Sequence, residues 1–135
     1  MMKKKVLLID DNVFENATFI NNLRYQYKVD AASRIVSARS KLKESVEYDL
    51  IVLDVGMPAF QAFELGETLD GLITGFVYYE KELIHLNIPV LFWSCNKDFL
   101  KVLADKKWPN TGFLLKGLDE DHLLLGVNQF FEKSI

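Results

Sequence analysis

The chain has 135 residues, of which 50% are hydrophobic and 26% charged, a composition typical of one globular domain rather than a disordered segment. Its net charge of -3 gives no electrostatic reason to expect nucleic acid or an anionic membrane as a partner. The single cysteine, Cys95, excludes a disulfide within the chain and a zinc site built from cysteines. No apolar run approaches the roughly 20 residues of a spanning helix, and no signal-peptide pattern opens the chain, so we expect a cytoplasmic protein.

Hydrophobic patterning predicts five strands that alternate with five helices. The strands are expected at about 4–9, 28–31, 50–53, 90–93 and 112–115. Helices are expected at about 13–25, 69–86, 98–107 and 119–132. A further helix is expected to begin after Ser33 as its N-cap, with Ile35, Ala38, Leu42 and Val46 facing inward. This alternation predicts an α/β fold, a flavodoxin-like, doubly wound, parallel sheet in strand order 2-1-3-4-5. We expect one domain over residues 1–135, without an output domain.

Polar side chains end four of the predicted strands. Asp10 and Asp11 follow the first strand, Asp54 ends the third, Ser94 the fourth and Lys116 the fifth. The carboxyl ends of parallel strands face one crevice, where ligands bind in this class of fold. We therefore expect these side chains to converge on one site.

The residue types at that crevice favour phosphoryl chemistry. Carboxylates on adjoining strands, with a backbone carbonyl nearby, form a hard oxygen site suited to Mg²⁺. A carboxylate can also attack phosphorus, which gives an aspartyl phosphate. A lysine ammonium and the metal would neutralise the phosphoryl charge, and a serine hydroxyl would hydrogen-bond one of its oxygens.

Each of these residues also has a simpler explanation when it is taken alone. Asp10 and Asp11 can cap the first helix, and Asp54 can form the turn that precedes Gly-Met-Pro. Ser94 can be a helix cap, and Lys116 can be a solvated loop lysine. The coincidence at four strand ends favours the functional interpretation.

Asp10-Asp11, the stretch Leu53-Asp54-Val-Gly-Met-Pro58, Ser94 and Lys116, in this order, resemble the receiver domain of two-component response regulators. The resemblance covers essentially the whole chain. It implies that Asp54 accepts a phosphoryl group from a histidine kinase or a histidine phosphotransfer protein in a phosphorelay. It also implies signalling to a downstream protein through the face formed by the fourth helix, fifth strand and fifth helix, rather than turnover as an enzyme.

The resemblance implies a role for each remaining site residue. Asp11, Asp54 and the Gly56 carbonyl would bind Mg²⁺, with Asp10 assisting through water. Ser94 would be the switch hydroxyl and Lys116 the ion-pair partner of the phosphoryl group. Phe113 matches the family's aromatic switch position, although its apolar strand also explains it as a core residue.

Three features depart from the family pattern. The segment from Pro58 to Asp70 is longer than usual by roughly ten residues, which is long for a strand-to-helix connection. Gly117 replaces the usual proline after the lysine, and we expect a trans bond because a non-proline cis bond costs about 2.5–4 kcal/mol. Trp93 and Cys95, both bulky, flank Ser94.

The long segment motivates an alternative function. It contains Phe60 and Phe63, which we expect to be docked rather than free, and it would cover or reshape the site of a receiver-like protein-binding module that works without phosphorylation. A phosphatase of the haloacid-dehalogenase type is disfavoured because Gly56 stands where that pattern has a second aspartate.

Three other features have simple interpretations. His85 and His122 have no carboxylate or cysteine nearby in the sequence at the spacing of metal ligands, and both are expected at the surface. Cys95 is expected to be a small packed residue. The last helix is apolar over more than one stripe, which indicates either a wide core-facing surface or a partner or homodimer surface.

Overall fold

The computed structural model describes residues 3–44, 47–60 and 62–133. Val46, expected to face the core from the second helix, lies outside the described residues. The strands are β1 Lys5–Ile9, β2 Lys28–Ala32, β3 Leu50–Asp54, β4 Val90–Ser94 and β5 Thr111–Leu115. The helices are α1 Ala17–Arg24, α2 Ile35–Glu44, α3 Thr74–Lys81, α4 Phe99–Lys106 and α5 His122–Lys133, with a short 3-10 helix at Leu83–Leu86.

The five strands form one parallel sheet in the order β2-β1-β3-β4-β5, which confirms the predicted fold. Every residue of β3 and β4 is buried, because helices cover both faces of a doubly wound sheet and the strands are apolar up to their last residues, Asp54 and Ser94. The register between β3 and β4 pairs Leu53 with Phe92 and Asp54 with Trp93. The carboxyl ends of these two strands therefore lie side by side.

Two apolar layers sandwich the sheet. Successive strand residues point to opposite faces, so Leu53 and Phe92 pack in one layer while Val52 and Trp93 pack in the other. The first layer lies against α2, α3 and α4, and the second against α1 and α5. Among the described residues, no helix combines the length and the hydropathy that crossing a membrane requires.

Two helices begin four or more residues later than the hydrophobic pattern predicts. α1 begins at Ala17 rather than near residue 13, because residues 11–16 form turns. α3 begins at Thr74, so the prediction of a helix from residue 69 is wrong. Leu69, Asp70 and Gly71 have φ values of 52°, 57° and 93°, which a right-handed helix cannot contain. The exposed Leu69 fits a helical spacing without belonging to a buried stripe.

Residues 55–73 connect β3 to α3, and the part from 58 to 73 is called the long loop. Phe63 anchors it against the Tyr78 ring at a centroid distance of 6.3 Å, with the Arg39 and Lys81 side chains 5.5 Å and 5.9 Å from its own ring. Phe60, in contrast, is half exposed, and the Arg34 guanidinium lies 4.5 Å from its ring. The expectation that the phenylalanines are docked therefore holds for Phe63 and only in part for Phe60.

The start of α3 packs directly on the end of β3. The Gly75 amide donates to the Val55 carbonyl over 2.8 Å, and a Cβ on Gly75 would lie 2.5 Å from the backbone oxygen of Asp54. Only glycine permits this approach. The backbone that carries Asp54 is thus held between β4 on one side and α3 on the other.

Candidate functional site

The strand order brings the predicted polar residues to one edge of the sheet. Asp10 directly follows β1, Asp54 ends β3, Ser94 ends β4 and Lys116 directly follows β5. Since β1, β3, β4 and β5 adjoin in that order, the four positions form one row across the carboxyl edge. The backbone amide of Lys116 donates to the Ser94 carbonyl over 2.8 Å, which extends the β4–β5 pairing up to the site.

Three carboxylates lie close together in this row. One oxygen from each of Asp10, Asp11 and Asp54 can be chosen so that all three lie within 4.8 Å of one another. Asp10 is fully buried and Asp54 is 4% exposed. Oδ1 of Asp11 is buried without a hydrogen-bond partner within the described part of the chain. An unpartnered buried oxygen amid three carboxylates fits the donor set of a hard divalent cation such as Mg²⁺.

The carboxylate of Asp10 already has protein partners on both oxygens. Oδ1 accepts from the Asn12 amide over 2.7 Å, and Oδ2 accepts from the Asn16 side-chain amide over 3.0 Å and from the Lys116 ammonium over 3.0 Å. Asp10 is therefore less available for direct metal binding than Asp11. The sequence analysis did not single out Asn16, which the turns before α1 bring to Asp10.

Lys116 points into the acidic cluster. Its Nζ lies 3.0 Å from Asp10 and 3.5 Å from Asp54, and its side chain is 14% exposed. Burial alone would lower the pKa of Lys116, but the negative charges of Asp10 and Asp54 outweigh burial and raise that pKa. The lysine therefore carries its charge at the site.

One ammonium does not balance three acids. Burial and the charge of Asp10, together with the neighbouring Asp11, raise the pKa of Asp54 to about 8, although Lys116 acts to lower it. Without a further cation, the site therefore favours the protonated form of Asp54. A divalent ion would supply positive charge that balances the excess negative charge of these carboxylates.

The structure gives less evidence for the predicted roles of Ser94, Gly56 and Phe113. Oγ of Ser94, 6% exposed, accepts from the Asn96 amide over 3.1 Å, and its hydroxyl hydrogen stays available for donation. Ser94 is not the helix cap of the simpler interpretation, because α4 begins at Phe99 and its N-cap is Asp98. Gly56 is exposed in the turn two residues after Asp54. Phe113 is partly buried against the layer that contains Phe92.

Two expectations near the site are wrong. Cys95 is exposed rather than packed, because β4 ends at Ser94 and the chain turns outward there. His122 is not a free surface residue: its ring packs edge-on against Phe19 at 4.6 Å and bonds to Trp93. The peptide bond between Lys116 and Gly117 is trans, as expected.

The chain matches no protein-family model and no curated protein sequence. It is similar to solved structures. These include the chemotaxis response regulator CheY4 of Vibrio cholerae, with a TM-score of 0.68, 22% identity, and 96% of this chain and 99% of that chain covered. A two-component response regulator from Clostridium difficile superposes with a TM-score of 0.69 at 16% identity, covering 98% of each chain. The receiver domain of the Francisella response regulator 1452 superposes with a TM-score of 0.67 at 21% identity, covering 98% of this chain and 100% of that chain. The chain therefore has the fold of CheY-like response regulator receiver domains.

Proposed function

We propose that this protein is a phosphoacceptor response regulator of a two-component phosphorelay. It takes a phosphoryl group from a phosphohistidine, on a histidine kinase or a histidine phosphotransfer protein, onto Asp54. The observation that carries the proposal is the convergence of three carboxylates and the Lys116 ammonium at the carboxyl edge of the sheet. Stability of the core does not explain this arrangement, because buried acids whose charges are not balanced destabilise a fold.

The chemistry follows from the positions of the side chains. An oxygen of the Asp54 carboxylate attacks phosphorus, the P–N bond of the phosphohistidine breaks, and its electron pair returns to the imidazole nitrogen. The products are an acyl phosphate on Asp54 and an unmodified histidine. Lys116, already 3.5 Å from Asp54, pairs with the phosphoryl oxygens, and the Ser94 hydroxyl donates to one of them. The reaction modifies the protein itself and is not turnover in the metabolic sense.

The acidic cluster fits Mg²⁺ as the cofactor. Asp11, Asp54 and the Gly56 carbonyl would hold the ion, and Asp10 would assist through water because its own oxygens are engaged. When bound, the ion would neutralise phosphoryl charge and favour the ionised form of Asp54. Asp11 supplies the unpartnered oxygen that this assignment uses.

Signalling would pass to another protein through the face built by α4, β5 and α5. This face exposes leucines beyond what the core needs: Leu100, Leu115, Leu118 and Leu125. The inner side of α5 is occupied by the core, since Leu123 and Val127 are fully buried. A homodimer through α5 would therefore use its outer side, around Leu125.

Labelling with a small phosphodonor tests the proposal. Acetyl phosphate with Mg²⁺ is expected to give an acyl phosphate that hydroxylamine removes, and Asp54→Asn is expected to abolish it. Asp105→Asn, which changes an exposed aspartate on α4, is the matched control and keeps the label. Label that persists in Asp54→Asn would contradict the assignment.

A binding module that works without phosphorylation is the second candidate. Asp54 is almost inaccessible and the long loop begins four residues after it, which favours a closed site. This candidate predicts no label in the wild type and no quenching of Trp93 fluorescence on addition of Mg²⁺. The first candidate predicts both signals.

A further inference from the structure

The indole of Trp93 forms one wall of the Lys116 site. Trp93 is fully buried in β4, one residue before Ser94, and pairs with Asp54 in the strand register. The Lys116 ammonium lies 4.6 Å from the centroid of the indole ring. A cation at this distance over an indole face is attracted by the ring, and the attraction strengthens where water is excluded. Lys116 thus has two acids on one side and an aromatic face on another.

His122 holds the indole by a hydrogen bond at its Nε1–H edge. Nε1–H of Trp93 donates to Nε2 of His122 over 3.1 Å. Because Nε2 accepts, the imidazole proton is on Nδ1, which lies 2.8 Å from the backbone oxygen of Asp119 and donates to it. Phe19 packs edge-on against both rings, at centroid distances of 4.6 Å from His122 and 6.4 Å from Trp93. These contacts fix the rotation of the indole, and with it the face presented to Lys116.

We propose that Trp93 and His122 are positioning residues for Lys116. This inference rests on the proposed phosphoacceptor function, since Lys116 acts there on the phosphoryl oxygens. A lysine has a flexible four-carbon stem, so the direction of its charge depends on what surrounds it. The indole face directs that charge toward Asp54. His122 keeps the indole in place because it accepts a hydrogen bond from the buried indole N–H, and without this acceptor the ring would have to rotate for that N–H to find a partner.

Two pairs of variants separate this role from a merely structural one. His122→Gln keeps an acceptor near the place of Nε2, whereas His122→Leu has a similar size and none. Trp93→Phe keeps an aromatic face without the donor, whereas Trp93→Leu removes both. Trp108→Phe is the matched control, because Trp108 also has a lysine over its ring, Lys106 at 5.6 Å, but lies in the other apolar layer.

The first measurement is the rate constant of Asp54 labelling by acetyl phosphate. We expect His122→Leu and Trp93→Leu to lower it by roughly threefold to thirtyfold, the factor that corresponds to one cation–aromatic contact in a partly to fully desolvated site. His122→Gln should stay within about twofold of the wild type, and Trp108→Phe should not change it. Rates in His122→Leu and Trp93→Leu equal to that of the wild type would overturn the inference.

The second measurement needs no phosphorylation. Nζ of Lys116 lies 4.6 Å from the centroid of the indole ring, so ring current should shift the NMR signals of the protons on the adjoining ε-carbon upfield in the wild type and in His122→Gln. The shift should disappear in Trp93→Leu and diminish in His122→Leu. An undiminished shift in His122→Leu would overturn the inference by itself. A wild type that shows the shift but accepts no label would contradict the proposed function and leave the positioning of Lys116 supported.

Discussion

The metal-free fold balances the ionised form of Asp54 poorly, and Asp54→Asn measures the cost of ionising it. Burial and the charge of Asp10, with Asp11, raise the pKa of Asp54 to about 8. In an unfolded chain the pKa of an aspartate is about 3.9. Because the folded value is the higher one, the folded state binds more protons between these two values. The free energy of unfolding therefore falls as the pH rises from about 4 to about 8, and it changes little through this group outside that window.

The size of the effect follows from the same shift. Each unit of pKa difference corresponds to about 1.4 kcal/mol, so a shift of about four units sets an upper limit of about 5–6 kcal/mol. Relaxation of the coupled side chains and entry of water reduce this limit. We expect Asp54→Asn to raise the free energy of unfolding of the metal-free protein by roughly 2 to 4 kcal/mol at about pH 8, and by less than about 0.5 kcal/mol at about pH 4.

Urea denaturation followed by far-UV circular dichroism, in the presence of a chelator and at constant ionic strength, gives these values across the pH range. Asp105→Asn removes the same formal charge from an exposed position and controls for net charge. Mg²⁺ should stabilise the wild type more than Asp54→Asn, since the ion relieves the same repulsion. If Asp54→Asn and Asp105→Asn unfold alike at pH 8, or if their difference does not depend on pH, the electrostatic reasoning is refuted.

Three further changes are predicted. Asp11→Asn should weaken Mg²⁺ binding by at least about tenfold by calorimetry, because it removes the unpartnered oxygen; unchanged affinity would place the ion elsewhere. Lys116→Met should move the pKa of Asp54 above about 8 in a carboxyl ¹³C titration, because Lys116 is the group that lowers it; a fall would contradict this account. Gly75→Ala should cost about 1–3 kcal/mol in urea denaturation because its Cβ would meet the Asp54 oxygen at 2.5 Å, whereas Gly66→Ala, with nothing within 4 Å, should be near neutral.

The sheet could be predicted from the sequence because its signals are local. Runs such as Leu50 to Leu53 are apolar at every position, which marks a strand buried on both faces, and each run stops at a polar residue. Alternation with helices then leaves few allowed topologies. The row of Asp10, Asp54, Ser94 and Lys116 follows from that topology alone, since parallel strands end at one edge.

The third helix could not be predicted correctly because its signal is ambiguous. Leu69 and Leu72 stand at helical spacing from Phe76, yet both are exposed. Left-handed backbone at residues 69–71 ends any helix there, and the Gly71 backbone packs so close to Met57 that a Cβ on Gly71 would lie 3.2 Å from the Met57 carbonyl oxygen. A pattern of apolar residues does not report which of them find a buried partner.

The sequence by itself determined which chemical groups stand at the ends of the strands, because strand polarity and connection rules act within short stretches of chain. Only the tertiary structure decided how those groups are held. Trp93 meets His122 across 29 residues, and Lys116 meets Asp10 across 106. Such pairs depend on the packing of α5 against α1 and β4, and on side-chain rotation within a close-packed interior, neither of which leaves a periodic trace in the sequence.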